Sequence, residues 1–471
     1  MPVINHPRKE SWQKMKPKIT KAKANLFQLP LERVIDLDHP LVQLSREFDW
    51  DGIRGEIAVN FCDSNGRPGA DTRVVLGLLY LKSAYSLSDE QLLERWVENP
   101  YWQWFCGYET MQYQAPIDPT TLSRWRSRLG SEKLEILLKQ TLEVASRRKF
   151  LNPGDLEQVN VDTTVQPKAI AFPTDTRLYY KMIRILGRLA KKAGLEVRQS
   201  YVRKSKQLLI MQNRYAHARQ YKRSRMCEKK LKTIMGRLTR DITRKLDFCG
   251  SEVLREQMVQ LLKQSVRLRN QTRTSARKLY SIHEPHVECI AKGKAHKRYE
   301  FGCKVSVAVT NKSNWVVGIK ALHGNPYDGH TLAGAVSQLT AITEVEPKRI
   351  MVDRGYRGHD YLGSALVHVA GSIPKTATRA FRKMLKRRSV IEPTIGHLKS
   401  DHRMERNYLK GKTGDKVNAL MSAIGYNFMK LMRALFFVFF WLIKSLDCCL
   451  KVALCNLLTG RNHTAPLIAS A

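Results

Sequence analysis

Apolar residues recur at helical spacing between residues 70 and 150, with polar residues in the positions between them. Within this segment Asp118 is suited to cap a helix and Pro119 is suited to its first position. The pattern predicts an N-terminal helical domain over residues 1–150. A short capped helix after another helix is typical of a helix-turn-helix unit, although an ordinary amphipathic helix fits the same pattern.

Alternation of apolar and polar residues replaces helical spacing at residues 156–170, which predicts a β-strand that contains Asp162. Two alternating stretches joined by "TNKSN" predict a β-hairpin, and "KRIMVD" predicts a short buried strand that ends at Asp353. Residues 367–377 predict one more strand. Helical patterns separate these strands, so we expect an α/β fold with a mixed sheet flanked by helices.

A strongly basic block of predicted helices interrupts the strands. Residues 181–281 hold 28 Lys and Arg but 6 Asp and Glu, and the whole chain carries a formal charge of +39. Charge runs on solvated helix faces normally mix signs, so this excess favours contact with phosphates. We interpret residues 181–285 as a basic helical insertion between the first and second core strands. A nucleic acid is the commonest partner of such a charge, and an anionic membrane surface is the alternative.

The membrane alternative is weak. The strongest apolar run, "ALFFVFFWLI", has ten residues, whereas a membrane-spanning helix needs about 20. The N-terminus also lacks the apolar core of a signal peptide. We therefore expect a buried terminal helix within an apolar tail, residues 436–471, and no membrane partner.

Three carboxylates are candidates for chemistry. Asp162 lies inside a strand pattern, where a charge is costly unless it is paired or bound to a metal. Asp353 lies where a strand ends, the place at which functional groups of α/β sheets gather. Glu392 precedes Pro393, which is tolerated only in the first turn of a helix, so a helix begins there.

The helix predicted after Glu392 has two different faces. At helical spacing, Gly396, Lys399 and Arg403 share the face of Glu392, so a carboxylate, a glycine gap and two cations lie together. The glycine gap would let a bulky anion approach. The adjacent apolar face is formed by Ile391, Ile395 and Leu398.

Two Asp and one Glu can hold two Mg²⁺ ions about 3.5–4 Å apart, an arrangement used in phosphodiester chemistry. Hard oxygen ligands match Mg²⁺. The residues alone leave the alternatives open: Asp353 is compatible with a simple turn aspartate, and Glu392 with a surface charge. "HEPHVEC" places His283, His286 and Cys289 at ligand-like spacing for zinc, but it offers no obvious fourth ligand.

The sequence resembles the DDE transposases of bacterial insertion sequences, specifically the IS five group. The resemblance covers about residues 40–435. It is carried by stretches that occur in the family's order: "YLKSAYSLSDEQLLERWVENPYWQWFCG", "VNVDTTVQPKAI", "KAHKRYEFGCKVSVAVT", "DGHTL", "VDRGYRGHDY" and "IEPTIGHLKSDHRMERNYLKG".

The resemblance implies a ribonuclease H-like catalytic core after an N-terminal helical DNA-binding region. It implies that Asp162, Asp353 and Glu392 are the catalytic, metal-binding residues, and that the cofactor is two Mg²⁺ ions, with Mn²⁺ as a substitute. Arg388 and Lys399 fit the spacings of the family signature around the glutamate, whereas Leu385 stands where the family has tyrosine.

The implied reaction is hydrolysis at the ends of a mobile DNA element, followed by attack of the freed 3′ hydroxyl on target DNA. The implied partner is double-stranded DNA, and pairing of two ends implies at least a homodimer, in the bacterial cytoplasm at the nucleoid. Phosphates would be held by Arg388, Lys399 and Arg403, and the inverted repeats would be read with help from Arg124, Arg126 and Arg128.

The expected organisation is an N-terminal domain (1–150), the first core strand region (151–180), the insertion (181–285), the rest of the core (286–435) and the tail (436–471). A nuclease on the same core, which cleaves without joining, is the alternative enzyme. The alternative without catalysis is a DNA-binding relic of a transposase. Loss of breakage in Asp162→Asn or Glu392→Gln separates the enzymes from the relic.

Overall fold

The computed structural model describes residues 29–58, 69–272, 274–276, 278–291, 298–371 and 377–459, with the side chains of 437–459 excepted. The N-terminal part is helical, as the apolar spacing predicts. Asp118 caps its longest helix through the Thr120 N–H, and this helix kinks at Gly130. The helices are α1 (Pro40–Glu47), α2 (Trp50–Ala58), α3 (Thr72–Tyr85), α4 (Asp89–Glu98), α5 (Pro100–Phe105), α6 (Pro119–Arg147) and α7 (Pro153–Leu156).

A six-stranded mixed sheet follows, built around its first strand. β1 pairs antiparallel with β3 on one side and parallel with β5 on the other. β3 pairs antiparallel with β2 and β4, and β5 pairs parallel with β6. The strands are β1 (Gln158–Pro167), β2 (Glu288–Ala291), β3 (Tyr299–Thr310), β4 (Val316–Leu322), β5 (Arg349–Val352) and β6 (Leu366–Val369).

The predicted strand around Asp162, the hairpin and the strand that ends before Asp353 are therefore confirmed. Strand β2 was not predicted, because its four residues are too few to show an alternating pattern. The sheet packs with α3, α6 and α12 (Leu332–Thr343) in one hydrophobic core, which α15 (Gly411–Thr459) also joins.

The basic block between β1 and β2 forms helices with a separate hydrophobic core. Its apolar residues pack inward, and its Lys and Arg side chains lie mostly on the exposed faces. This agrees with the expectation of helices with basic outer faces. The helices are α8 (Asp175–Lys192), α9 (Val202–His217), α10 (Tyr221–Lys245) and α11 (Glu252–Asn270).

After β6 the chain forms α13 (Arg379–Lys386), a 3-10 turn (Arg387–Val390) and α14 (Ile391–Ser400) before α15. The run "ALFFVFFWLI" lies within α15, but the side chains beyond residue 436 lie outside the described ones, so its predicted burial stays a prediction. In the described part of the chain, no helix combines the length and apolarity needed to cross a membrane.

Candidate active site

Two predicted aspartates lie on or directly after neighbouring parallel strands. β1 and β5 run parallel, with Asn160 opposite Met351. Continuing this register by two residues places Asp353 opposite Asp162. Neighbouring strands lie about 4.8 Å apart, and residues at one level of a parallel pair point to the same face. Two carboxylates far apart in sequence thus share one edge of the sheet.

Local backbone contacts fix the orientation of both aspartates. Asp353 follows β5 in extended conformation and caps a 3-10 turn (Arg354–Tyr356), where its Oδ1 accepts the Gly355 N–H at 2.8 Å. The Oδ1 of Asp162 accepts the N–H of Thr163 at 2.7 Å.

A buried tyrosine shows that a third aspartate belongs to the same cluster. Tyr356 is fully buried. Burial raises the pKa of its hydroxyl, and the charges of Asp162, Asp328 and Asp353 raise that pKa further. The charges of the three carboxylates therefore act on the same buried hydroxyl.

Asp328 reaches this cluster from the 3-10 turn Asp328–Thr331. Its Oδ1 accepts hydrogen bonds from Thr163 Oγ1 and Lys304 Nζ, both at 2.9 Å. Sequence reasoning did not identify Asp328, although it is the first residue of the stretch "DGHTL". The ring of His330 is exposed and lies edge-on to Tyr327 at 5.4 Å.

Glu392 connects to the aspartates through an arginine. It lies in the first turn of α14, as predicted, and its side chain is 65% exposed. Arg388, one helical turn earlier, places Nη2 3.5 Å from Glu392 Oε1 and Nη1 3.9 Å from Asp162 Oδ2. The guanidinium thus lies between two of the three carboxylates that sequence analysis selected.

The face of α14 that carries Glu392 is shorter than predicted. Ile391 and Leu398 are buried, which confirms the apolar face, and a side-chain carbon on Gly396 would meet nothing within 4 Å. Lys399 lies in the same helix, but the helix ends at Ser400.

Arg403 therefore does not share the face of Glu392, which corrects the prediction. It adopts a left-handed backbone conformation with φ 61°, and its guanidinium lies over the Tyr408 ring at 5.7 Å from the ring centre. Its predicted role in phosphate binding had rested on an uninterrupted helix.

Arg126 also differs from the expectation. Its side chain is buried, 5% exposed, and its guanidinium binds Asp89 through two hydrogen bonds of 2.8 and 2.5 Å. Lys82 binds the same carboxylate at 2.5 Å. Arg124 is exposed and Arg128 is half-buried, so these two remain available at the surface of α6.

The oxygen donors of this cluster suit a divalent cation, although they are not gathered tightly. Among the described residues, no three His, Cys, Asp or Glu side chains lie close enough to hold a metal ion, which applies also to the zinc candidate in "HEPHVEC". A side-chain carbon on Gly355 would lie 3.0 Å from Asp353 Oδ1 and 3.2 Å from Asp328 Oδ2. The glycine leaves open a space between two carboxylates, and Mg²⁺ needs only one or two carboxylates beside waters and substrate phosphates.

Comparison with known proteins identifies the family. Residues 29–128 match the family described as "Transposase domain (DUF772)", and residues 278–428 match "Transposase DDE domain". A Rhizobium meliloti protein described as "Uncharacterized protein ORF8 in nfe locus" is 50% identical over 199 residues, which are 42% of this chain and 96% of that protein. No solved structure matches the chain. DDE transposases generally use divalent metal ions, and the oxygen donors of the aspartate cluster are of the kind that bind such ions. The chain belongs to the DDE transposases of insertion sequences.

Proposed function

We propose that this protein, a member of the IS five group, binds the terminal inverted repeats of its element, cleaves the DNA ends and joins them to target DNA. The observation that carries the proposal is the register that sets Asp353 opposite Asp162, with Arg388 linking Asp162 to Glu392. Asp162, Asp353 and Glu392 are then the catalytic residues.

The order of the strands supports a ribonuclease H-like core. β4, β3 and β1 form an antiparallel set, and β1, β5 and β6 form a parallel set, with β1 at the centre. Helices α8–α11 leave the sheet after β1 and return at β2 with a hydrophobic core of their own, which supports an insertion into that core.

Asp162, Asp353 and Glu392 would hold two Mg²⁺ ions, for which Mn²⁺ can substitute. When bound, such ions stabilise negative charge on a transferring phosphate and activate the attacking water or hydroxyl. The chain's own residues position the DNA. Lys399 lies about two turns beyond Glu392 on α14, and the open surface at Gly396 admits a phosphate between them.

Arg388 has a separate part in this proposal. Its guanidinium now neutralises Asp162 and Glu392. Cations at the carboxylates would repel it, and a planar guanidinium binds phosphate through two parallel hydrogen bonds. We therefore assign Arg388 to a DNA phosphate in the loaded complex.

The basic helices supply most of the DNA affinity. The exposed faces of α8–α11 carry Lys and Arg that phosphates would neutralise, and α6 adds Arg124 and Arg128 at its own surface. Binding to DNA should weaken steeply as salt is added, because each phosphate contact releases condensed counterions. Pairing of two element ends calls for at least a homodimer in the active complex.

Strand transfer with pre-cleaved element ends tests the function. Full-length protein, Mg²⁺, labelled ends and a target plasmid should give joined products, which a nuclease on the same core would not form. Hydrolysis without joining would overturn the transposase assignment in favour of the nuclease. DNA binding with neither reaction would indicate a relic.

A further inference from the structure

The two carboxylate oxygens of Asp328 have different surroundings. Its Oδ1 is saturated by Thr163 Oγ1 and Lys304 Nζ, both at 2.9 Å. Its Oδ2 accepts no hydrogen bond from the residues that the structure describes. Oδ1 therefore holds the carboxylate in place, whereas Oδ2 has no hydrogen-bond donor among the described residues.

Asp328 Oδ2 faces Asp353 across an open space. The side-chain carbon that Gly355 lacks would lie 3.2 Å from Asp328 Oδ2 and 3.0 Å from Asp353 Oδ1. Both carboxylates therefore border the same gap, and the main chain at Gly355 leaves it unfilled. Two negative charges bordering one gap repel each other unless a cation lies between them.

A second, independent observation concerns a hydroxyl near the same aspartates. Tyr356 is fully buried, and its hydroxyl makes no hydrogen bond of normal geometry within the described residues. The nearby Thr331 hydroxyl donates its own proton to the Asp328 carbonyl at 2.7 Å. A buried hydroxyl without a regular hydrogen bond, placed where the charges of three carboxylates act on it, is the kind of group that orders a water bound to a cation.

We propose that Asp328 is a fourth carboxylate of the cation site, with Oδ2 as a direct ligand of the divalent ion that Asp353 holds. This inference rests on the proposed function and adds a ligand to it. Thr163 and Lys304 act as positioning residues, since their contacts to Oδ1 turn Oδ2 toward Asp353.

A purely structural role for Asp328 would be to neutralise Lys304. The Lys304 ammonium also donates to the Pro326 carbonyl at 2.7 Å, so it keeps one partner when Asp328 changes. The double variant Lys304→Met/Asp328→Asn removes both charges together. If pairing were the whole role, this double variant would bind cations like wild type.

Mn²⁺ binding by the full-length protein without DNA tests the inference, with free Mn²⁺ measured by electron paramagnetic resonance. Asp328→Asn should bind at least about tenfold more weakly than wild type, as should the double variant. Gly355→Ala should also weaken binding, because its methyl group fills the gap. Asp38→Asn, which changes an exposed carboxylate in the N-terminal part, should bind like wild type.

The pattern of losses separates this inference from the proposed function. Weak Mn²⁺ binding in Asp353→Asn with unchanged binding in Asp328→Asn would overturn the proposed role of Asp328 but leave the proposed metal site intact. Restored Mn²⁺ binding in the double variant would have the same meaning. Unchanged binding in Asp353→Asn would overturn the proposed metal site itself. Matching thermal unfolding of Asp328→Asn and wild type in the absence of Mn²⁺ verifies that the variant is folded.

Discussion

Replacing Lys168 should destabilise the whole chain, because this lysine lies in a buried charge cluster. Its ammonium lies 2.7 Å from Asp415 Oδ1 and 3.4 Å from Glu284 Oε2, and its side chain is 3% exposed. Glu284 also accepts the Gly411 N–H at 3.0 Å. The cluster joins the end of β1 and the start of α15 to the segment that leaves the basic helices.

The expected loss for Lys168→Met follows from burial. The substitution leaves two buried carboxylates without their cation, and breaking a buried ion pair in this way costs about 3–5 kcal/mol. Lys348→Met is the matched control. That lysine lies 2.7 Å from Glu157, the same distance as in the buried pair, but its side chain is 71% exposed. Exposed pairs contribute about 0–1 kcal/mol.

Equilibrium unfolding in urea, followed by circular dichroism, measures both variants against wild type. The unfolding midpoint should fall markedly for Lys168→Met and barely for Lys348→Met, with unchanged slopes. Equal midpoints for the two variants would refute the reasoning that burial, and not pair distance, sets the contribution of these ion pairs.

Three further predictions concern individual side chains. Arg126→Ala should lower the free energy of unfolding by about 1.5–3 kcal/mol, because it removes two hydrogen bonds to the half-buried carboxylate of Asp89, which keeps Lys82 as a partner. Arg124→Ala should instead weaken DNA binding in a mobility-shift assay and leave unfolding unchanged. Burial lowers the pKa of Lys430 to about 8, below its unfolded value. Between pH 8 and about 10 the unfolded chain therefore binds more protons than the folded chain. Wild type should gain stability relative to Lys430→Met as pH rises through this window. A stability difference between the two proteins that stays constant with pH in calorimetry would contradict this. Gly425→Ala should lower the free energy of unfolding by about 1–3 kcal/mol, because its methyl group would lie 2.3 Å from a backbone oxygen of α3. The control Gly396→Ala, whose methyl group would meet no atom within 4 Å, should not be destabilised in thermal unfolding.

The sequence predicted those features that depend on local periodicity. Alternation located β1 and the hairpin, the cap Asp118 located the start of α6, and Pro393 located the start of α14. Asp162 and Asp353 could be chosen because a charge within or at the end of an apolar strand is unusual. Their adjacency follows from parallel pairing, which no local pattern specifies.

The features that sequence reasoning missed depend on contacts between distant residues. Arg126 is buried because Asp89, 37 positions earlier, meets it inside the helical domain. Its spacing from Leu122 and Leu129 was the available signal, since residues three and four apart share a face. Asp328 enters the cluster through Thr163, 165 positions away. Helix α14 ends at Ser400 with no glycine or proline in the next three positions to mark the end.

The most direct test of the central claim is DNA breakage by matched carboxylate variants. Wild type and variants would be incubated with Mg²⁺ and a DNA that carries both element ends, and cleavage rates compared at equal DNA occupancy. Asp162→Asn, Asp353→Asn and Glu392→Gln should each cleave at least about 100-fold more slowly than wild type, with Asp38→Asn unchanged. Undiminished cleavage in Asp162→Asn and Glu392→Gln would contradict the assignment of these carboxylates to the catalytic site.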